Sequence, residues 1–466
     1  MNRQSRIGLL PLYLKLYDDT FPELRYEFDD PLIKAVLDGF EREGVETVMS
    51  GICRLAPEFR KAIRHFEQED VDLIVTLHLA YSLSLESIDA LAAANRPILM
   101  LDTTLDYDFG PAADPARILY NHGIHGVQDL ASLLVRRKVP FEIVAGHIQH
   151  SNVLRRAAEL ARAAHAARCF KNTPVLRVGE SFAGMGDFAV DEELLWKQFR
   201  IAVDTIAPDA LADSALSVTD KEIEAELQAD RQRFVCEAPE EVHRRSLRVG
   251  LGLRRYLEKK KYRAFSQNFL AFASTEGPVD TVPFLECSKA MERGVGYAGE
   301  GDVLTAALVG ALQGGFGKTT FTEMFCPDWK GDAIFLSHMG EINPEVAAGK
   351  AWLIEKDFPW TPAKNPAMLA CAPATGPAVL VNLAPGPDDT FRLILAPVEV
   401  LGDTTRADMR EAVRGWIRPQ PPVEPFLEEY SRRGGTHHCA LVLGDHAEAV
   451  AAMGSYLGME RTILAR

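Results

Sequence analysis

Between about residues 7 and 146, short apolar runs alternate with stretches whose apolar positions recur every three to four residues. Residues 7–12, 73–77, 98–101 and 141–144 read as strands, and 31–43, 84–94 and 127–137 as amphipathic helices. The strand runs are continuously apolar rather than alternating. Both faces are then buried, as in a parallel sheet covered by helices. A helical pattern over 151–167 closes this unit, and Lys171-Asn172-Thr173-Pro174 reads as a linker.

A second unit opens with the strand 176–179 and continues through helical patterns at 192–201, 220–234 and 240–258. Its last strand is expected over 264–272, followed by a helix over 283–293. Beyond His338 the texture changes to β-prone runs, 378–383 and 390–401, broken by Pro and Gly turns. The expected fold is therefore α/β: two doubly wound parallel-sheet domains, 1–172 and 173–325, followed by a smaller strand-rich C-terminal domain, 326–466.

Charge and cysteine usage narrow the function classes. A formal net charge of −15 argues against a nucleic-acid footprint and against an anionic membrane surface. The seven cysteines are scattered and lack CxxC spacing, so neither a disulfide framework nor a cysteine zinc site is indicated. Residues 1–6 lead straight into the first strand with no signal-peptide pattern, and no apolar run reaches the roughly 18 residues of a membrane helix. The expected compartment is the cytoplasm.

The candidate chemistry gathers between Gly294 and Met339. Glu300 sits in the glycine-rich Gly299-Glu300-Gly301-Asp302, ahead of a helical pattern over 303–312; Glu323 lies on a short β-prone run, and His338 closes an apolar strand. Gly317-Lys318-Thr319 resembles the end of a phosphate-binding loop, but the glycine required five residues earlier is Leu312, and a helix precedes where a strand should. No G-x-G-x-x-G follows the first strand, so a dinucleotide site has no support either. Near the C-terminus His437-His438 follows Gly434-Gly435-Thr436. In an extended segment these neighbours point to opposite faces, so one ring could bind an ion while the other reaches a different group. Two carboxylates and two imidazoles form a mixed O/N set that suits Mn²⁺ or a similar divalent ion. Such an ion polarises a carbonyl, and tuned carboxylates move protons between neighbouring carbons, which is the chemistry of isomerisation. Taken singly, each residue also has a structural reading: a solvated loop carboxylate for Glu300, an exposed strand charge for Glu323, a hydrogen-bonded core histidine for His338 and a polar turn for the histidine pair.

Taken together and in order, these segments resemble the L-arabinose isomerase family. Gly296-Tyr297-Ala298-Gly299-Glu300-Gly301-Asp302 followed by Thr305-Ala306-Ala307-Leu308 is similar to its hallmark segment, with Val303-Leu304 where the family usually has Trp-Lys. Phe321-Thr322-Glu323, Ser337-His338-Met339 and Gly434-Gly435-Thr436-His437-His438 resemble its remaining glutamate and histidine motifs. Thr375-Gly376-Pro377-Ala378 and Phe391-Arg392-Leu393-Ile394 resemble runs of its last domain. The resemblance implies a Mn²⁺-assisted aldose–ketose isomerase assembled as a hexamer. Its ligands would be Glu300, Glu323, His338 and His438, with the two glutamates also moving a proton between C1 and C2 through an enediol. His437 would contact sugar hydroxyls. In Asn121-His122-Gly123-Ile124-His125-Gly126, His122 is the closer match, and His125 the fallback, to a histidine that reaches a neighbouring subunit's site.

The departures concern the sugar. Leu10-Pro11-Leu12-Tyr13-Leu14 stands where the family has Gln-His-Leu-Tyr-Gly, Phe182 stands near a usual methionine, and Phe269 matches a family phenylalanine. The expected substrate is a pentose or deoxy sugar, and the more apolar pocket should make L-arabinose a poor substrate and a sugar with a methyl group or a missing hydroxyl at the far end a better one. Competing readings are a catalytically silent sugar-binding homologue and a metal-dependent epimerase or lyase.

Overall fold

The computed structural model describes residues 4–26, 30–403, 409 and 411–465. Residues 1–3, part of the stretch read above for a leader, lie outside the described residues. The chain forms two compact units, Arg3–His165 and Ala166–Arg466, with the boundary inside the helix Val153–Phe170.

In the first unit, strands β1 (Arg6–Leu12), β2 (Glu46–Met49), β3 (Leu73–His78), β4 (Ile98–Asp102) and β5 (Glu142–Ala145) form one parallel sheet in the order β2-β1-β3-β4-β5. The pattern reading passes over β2 and the helix Ala56–Gln68. β2 is short, opens with the polar pair Glu46-Thr47 and has no buried residue, because it is the sheet's edge. Leu10 and Leu12 pack with Phe59, Phe66 and Leu130 in the hydrophobic core. Their apolar character thus serves packing, and the expected apolar sugar pocket is left to Phe182 and Phe269.

The second unit holds β6 (Pro174–Val178), β7 (Ala202–Ile206), β8 (Val235–Cys236), β9 (Ala264–Gln267) and β10 (Gly296–Gly299). Four of these form a parallel sheet in the order β10-β9-β6-β7. The strand expected over 264–272 therefore stops at Gln267 and is not the last, since β10 pairs beside it. Two glycines disguise β10 in the sequence. A Cβ on Gly296 would lie 2.1 Å from the carbonyl oxygen of Ala306, so only glycine lets the helix Val303–Phe316 pack this closely.

Next come β11 (Thr319–Asp328), β12 (Ala333–Ser337), β13 (Trp352–Glu355), β14 (Ala367–Ala370), β15 (Gly376–Pro385), β16 (Phe391–Val400), β17 (Gly415–Pro419), β18 (His438–Leu443) and β19 (Glu460–Ile463). The order β15-β18-β11-β12-β17-β16-β19 with an extra β15–β16 pairing closes six of these strands into a ring, with β19 alongside β16. This is the strand-rich C-terminal part, and closure removes the exposed edges of an open sheet. β13 and β14 join β8 in a small separate sheet. Among the described residues no helix is long and apolar enough to cross a membrane.

Candidate metal centre and active site

Two architectures meet at the site, both in the second unit. Glu300 is the first residue after β10, at the C-terminal edge of the parallel sheet, with a left-handed backbone φ of 62°. That conformation costs a non-glycine residue roughly 1–2 kcal/mol. It is pinned on both sides: the Glu300 N–H donates to the carbonyl of Gln267 (2.7 Å), and its own carbonyl accepts from the N–H of Phe182 (2.9 Å). Only 7% of Glu300 is exposed, so it is not a solvated loop carboxylate.

The other groups come from the barrel, and strand register brings them together. Glu323 on β11 pairs with His438 on β18 and with Ser337 on β12, and His338 follows Ser337 directly. Facing residues of neighbouring antiparallel strands lie about 4.5–5.5 Å apart at Cβ, so three adjacent strands deliver one carboxylate and two imidazoles to one patch. The Nε2 atoms of His438, His338 and His437 lie 2.9, 3.5 and 3.7 Å from Glu323 Oε1. Those of His438 and His437 lie 3.6 and 3.7 Å from Glu300 Oε2.

His437 and His438 do not point to opposite faces. Their rings are 4.3 Å apart and both present Nε2 to the same carboxylates. The strand begins at His438, so the alternation expected of an extended pair does not reach His437. The preceding turn is held by Asn382, whose side-chain N–H donates to Thr436 Oγ1 (2.6 Å) and to the carbonyl of His438 (2.8 Å), and by the Tyr430 hydroxyl on the Thr436 carbonyl (2.6 Å).

Behind each imidazole stands a carboxylate. Nδ1 of His438 meets Asp302 (2.9 Å), Nδ1 of His338 meets Glu341 (2.7 Å), and Nδ1 of His437 meets Asp187 (2.6 Å). Each contact favours the proton on Nδ1 and leaves Nε2 as the acceptor atom, an arrangement that also occurs where a histidine binds a metal. Sequence reading missed these three. Asp302 lies inside the glycine-rich motif and Glu341 three residues after His338, but Asp187 has no sequence signal.

Polar atoms at the centre converge without pairing. Glu300 Oε2, His338 Nε2 and His438 Nε2 are buried and have no hydrogen-bond partner among the described residues. His438 Nε2 approaches Glu323 Oε1 to 2.9 Å, the length of a hydrogen bond but without its geometry. Glu300, Glu323, His437 and His438 can present ligand atoms all within 4.8 Å of one another. His338 falls outside that tighter group, yet its Nε2 is buried and unpaired whereas the His437 side chain is 37% exposed. Burial would raise the Glu300 carboxyl, but the imidazoles of His437 and His438 outweigh it and hold it at about 2. Burial and His438 act in the same opposing way on Glu323, with a net lowering. For His338 burial would lower the imidazole, and Glu341 raises it.

Phe182 and Phe269 meet at a tilt with ring centres 5.9 Å apart, and Phe358 sits edge-on to Phe269 at 5.4 Å, forming an aromatic wall. His122 and His125 belong to the first unit, with rings 5.5 Å apart. There His122 Nε2 meets the Tyr17 hydroxyl at 3.0 Å, beside a cavity of 270 Å³ that it lines with Asp106, Tyr107 and Asn121.

Two family descriptions match consecutive stretches: the L-arabinose isomerase central domain over residues 184–314 and the L-arabinose isomerase C-terminal domain over 318–460, together more than half the chain. The chain belongs to the L-arabinose isomerase family. An L-arabinose isomerase of Nocardioides sp. is 27% identical over 448 residues, covering 93% of this chain and 88% of the relative. One of Erwinia tasmaniensis is 25% identical over 92% of this chain and 88% of the relative. L-arabinose isomerase 1 of Bacillus licheniformis is 26% identical over 91% and 86%. The enzyme class is that of the family, the aldose–ketose isomerases, which are intramolecular oxidoreductases.

Proposed function

We propose that the chain is a metal-dependent aldose–ketose isomerase acting on a pentose or deoxy sugar, with one divalent ion of the Mn²⁺ class held by Glu300, Glu323, His338 and His438. The observation that carries this is the set of buried, unpaired ligand atoms, Glu300 Oε2, His338 Nε2 and His438 Nε2, around Glu323. Two carboxylates with two imidazoles suit Mn²⁺ better than a thiolate-seeking ion. When bound, such an ion polarises the sugar carbonyl and steadies negative charge on its oxygen.

The protein's own groups do the rest. Glu300 and Glu323 are the acid–base pair that takes a proton from one of C1 and C2 and returns it to the other, through an enediol. All three imidazole contacts to Glu323 fall on Oε1, which leaves Oε2 for proton transfer. His437, half-exposed and steered by Asp187, binds a sugar hydroxyl. Phe182 and Phe269 cover the far end of the substrate and exclude water there. By the family's pattern the working enzyme is a cytoplasmic hexamer in which His122, or His125 in its place, completes a neighbour's site.

The test is a sugar panel with Mn²⁺, followed by NMR for ketose formation and for solvent deuterium entering at C1 or C2. Ketose product with deuterium incorporation is expected. An apolar wall discriminates weakly against a missing hydroxyl, so a deoxy or methyl sugar should outperform L-arabinose. Epimer formation in place of ketose, or binding without turnover, would overturn the reading.

A further inference from the structure

Gln267, the last residue of β9, takes no part in the chemistry described so far. It is 1% exposed, and neither Oε1 nor Nε2 of its amide has a hydrogen-bond partner among the described residues. A glutamine amide carries an acceptor oxygen and two N–H donors. Burying all of them unpaired is unfavourable, and a methionine or leucine of similar volume would fill the space without that penalty. A buried amide in that state is suited to a ligand that both donates and accepts.

Its direction follows from register. Gln267 pairs with Gly299 across the parallel β9–β10 ladder, so both side-chain positions leave the sheet on the same face. A Cβ on Gly299 would lie 2.9 Å from His338 Nε2. Two residues back on that face, Phe265 meets Tyr297 (5.0 Å), Tyr297 meets Phe321 (5.8 Å), and Phe321 lies against His338 (4.6 Å) and His438 (4.9 Å). The amide therefore leaves the sheet on the side of the two imidazoles. It does so at the C-terminal strand edge, where Glu300 bonds to the Gln267 carbonyl and where open α/β sheets bind ligands. Two residues on, Phe269 begins the aromatic wall.

We propose that Gln267 is a sugar-binding, specificity-determining residue, its amide oxygen and N–H pairing with neighbouring hydroxyls of the substrate chain. This rests on the isomerase reading and sharpens it. The aromatic wall tolerates a missing hydroxyl at the far end, while Gln267 demands hydroxyls next to the ion-binding group.

Wild type, Gln267→Met and Gln267→Leu would be compared by melting temperature without ligand and by calorimetric binding of L-arabitol, ribitol and xylitol with Mn²⁺ present. Both variants should melt at or above wild type, and affinity for the best pentitol should fall roughly tenfold, the worth of a hydrogen bond to a buried amide. The preference of wild type for that pentitol over its deoxy analogues should also shrink. A variant that melts like wild type and binds the pentitol equally well overturns the proposal. So does a large drop in melting temperature in both variants, which would make the amide a structural group. If wild type binds no pentitol with Mn²⁺, the isomerase reading fails first and takes this assignment with it.

Discussion

Asp302 holds His438 through one carboxylate oxygen, Oδ2 to Nδ1 at 2.9 Å, while its other oxygen accepts the N–H of Thr305 at 2.8 Å and caps the helix Val303–Phe316. One fully buried side chain thus sets both the start of that helix and the orientation of an imidazole from a distant strand. Asp302→Asn keeps the capping oxygen but loses the charge facing Nδ1. Mn²⁺ affinity should fall by about 10–100-fold with only a small change in melting temperature. Calorimetric titration checks this, and unchanged affinity would reduce Asp302 to a cap.

Glu300→Gln and Glu323→Gln keep the shape of each side chain and remove its ability to take a proton. Each should lower turnover by at least about 10²–10⁴-fold, with Glu300→Gln also weakening the ion. Near wild-type rates in either variant would make that glutamate structural.

Removing divalent ions with a chelator should abolish turnover and lower the melting temperature, and Mn²⁺ should restore both. At an ion concentration a hundredfold above the dissociation constant, stabilisation of about 2.7 kcal/mol is expected. The same shift should be much reduced in His338→Ala and nearly intact in His437→Ala, because His338 is buried and unpaired at Nε2 whereas His437 is half-exposed. Equal losses would assign His437 to the ion.

Away from the site, Lys289 is 1% exposed and pairs with Asp230 (2.6 Å) and Glu226 (2.9 Å). Lys289→Met leaves buried Asp230 with His243 alone and Glu226 with Arg254 alone, and should cost about 3–5 kcal/mol, read from urea unfolding at pH 7. The pH dependence follows from Glu226. Burial would raise its carboxyl, but Lys289 and Arg254 outweigh burial and hold it at about 2, below the ordinary 4.5. Its stabilisation is complete above the ordinary value and is lost as pH falls from there toward 2. The gap between wild type and Lys289→Met should therefore narrow on acidification; a constant gap would mean that the ion pairs contribute nothing.

Inner strands such as Leu73–His78 were legible because every residue is buried and most are apolar, whereas the exposed edge strands β2 and β7 carry no such run. The proposed site residues were legible because Glu300, Glu323, His338 and His437-His438 each sit in a recognisable short motif. β10 was not, since a strand with glycine at both ends has little propensity of its own and exists through close packing with a helix. Nor was Asp187, which meets His437 from 250 residues away. Gly299 leaves room for an imidazole from a distant strand, since a side chain there would collide with His338, and no local pattern shows that need.

The proposed ligand groups divide unevenly between two architectures, Glu300 directly after a parallel strand and Glu323, His338 and His438 on or just after barrel strands. Neither half is a portable module. A recombination event that grafted the barrel onto a related chain would carry three of the four groups and depend on the recipient's sheet for the last, placed to within a fraction of an ångström. Lineages of this enzyme are thus expected to diversify by point changes around the aromatic wall and the β9 edge, with the seam between sheet and barrel inherited as a single unit.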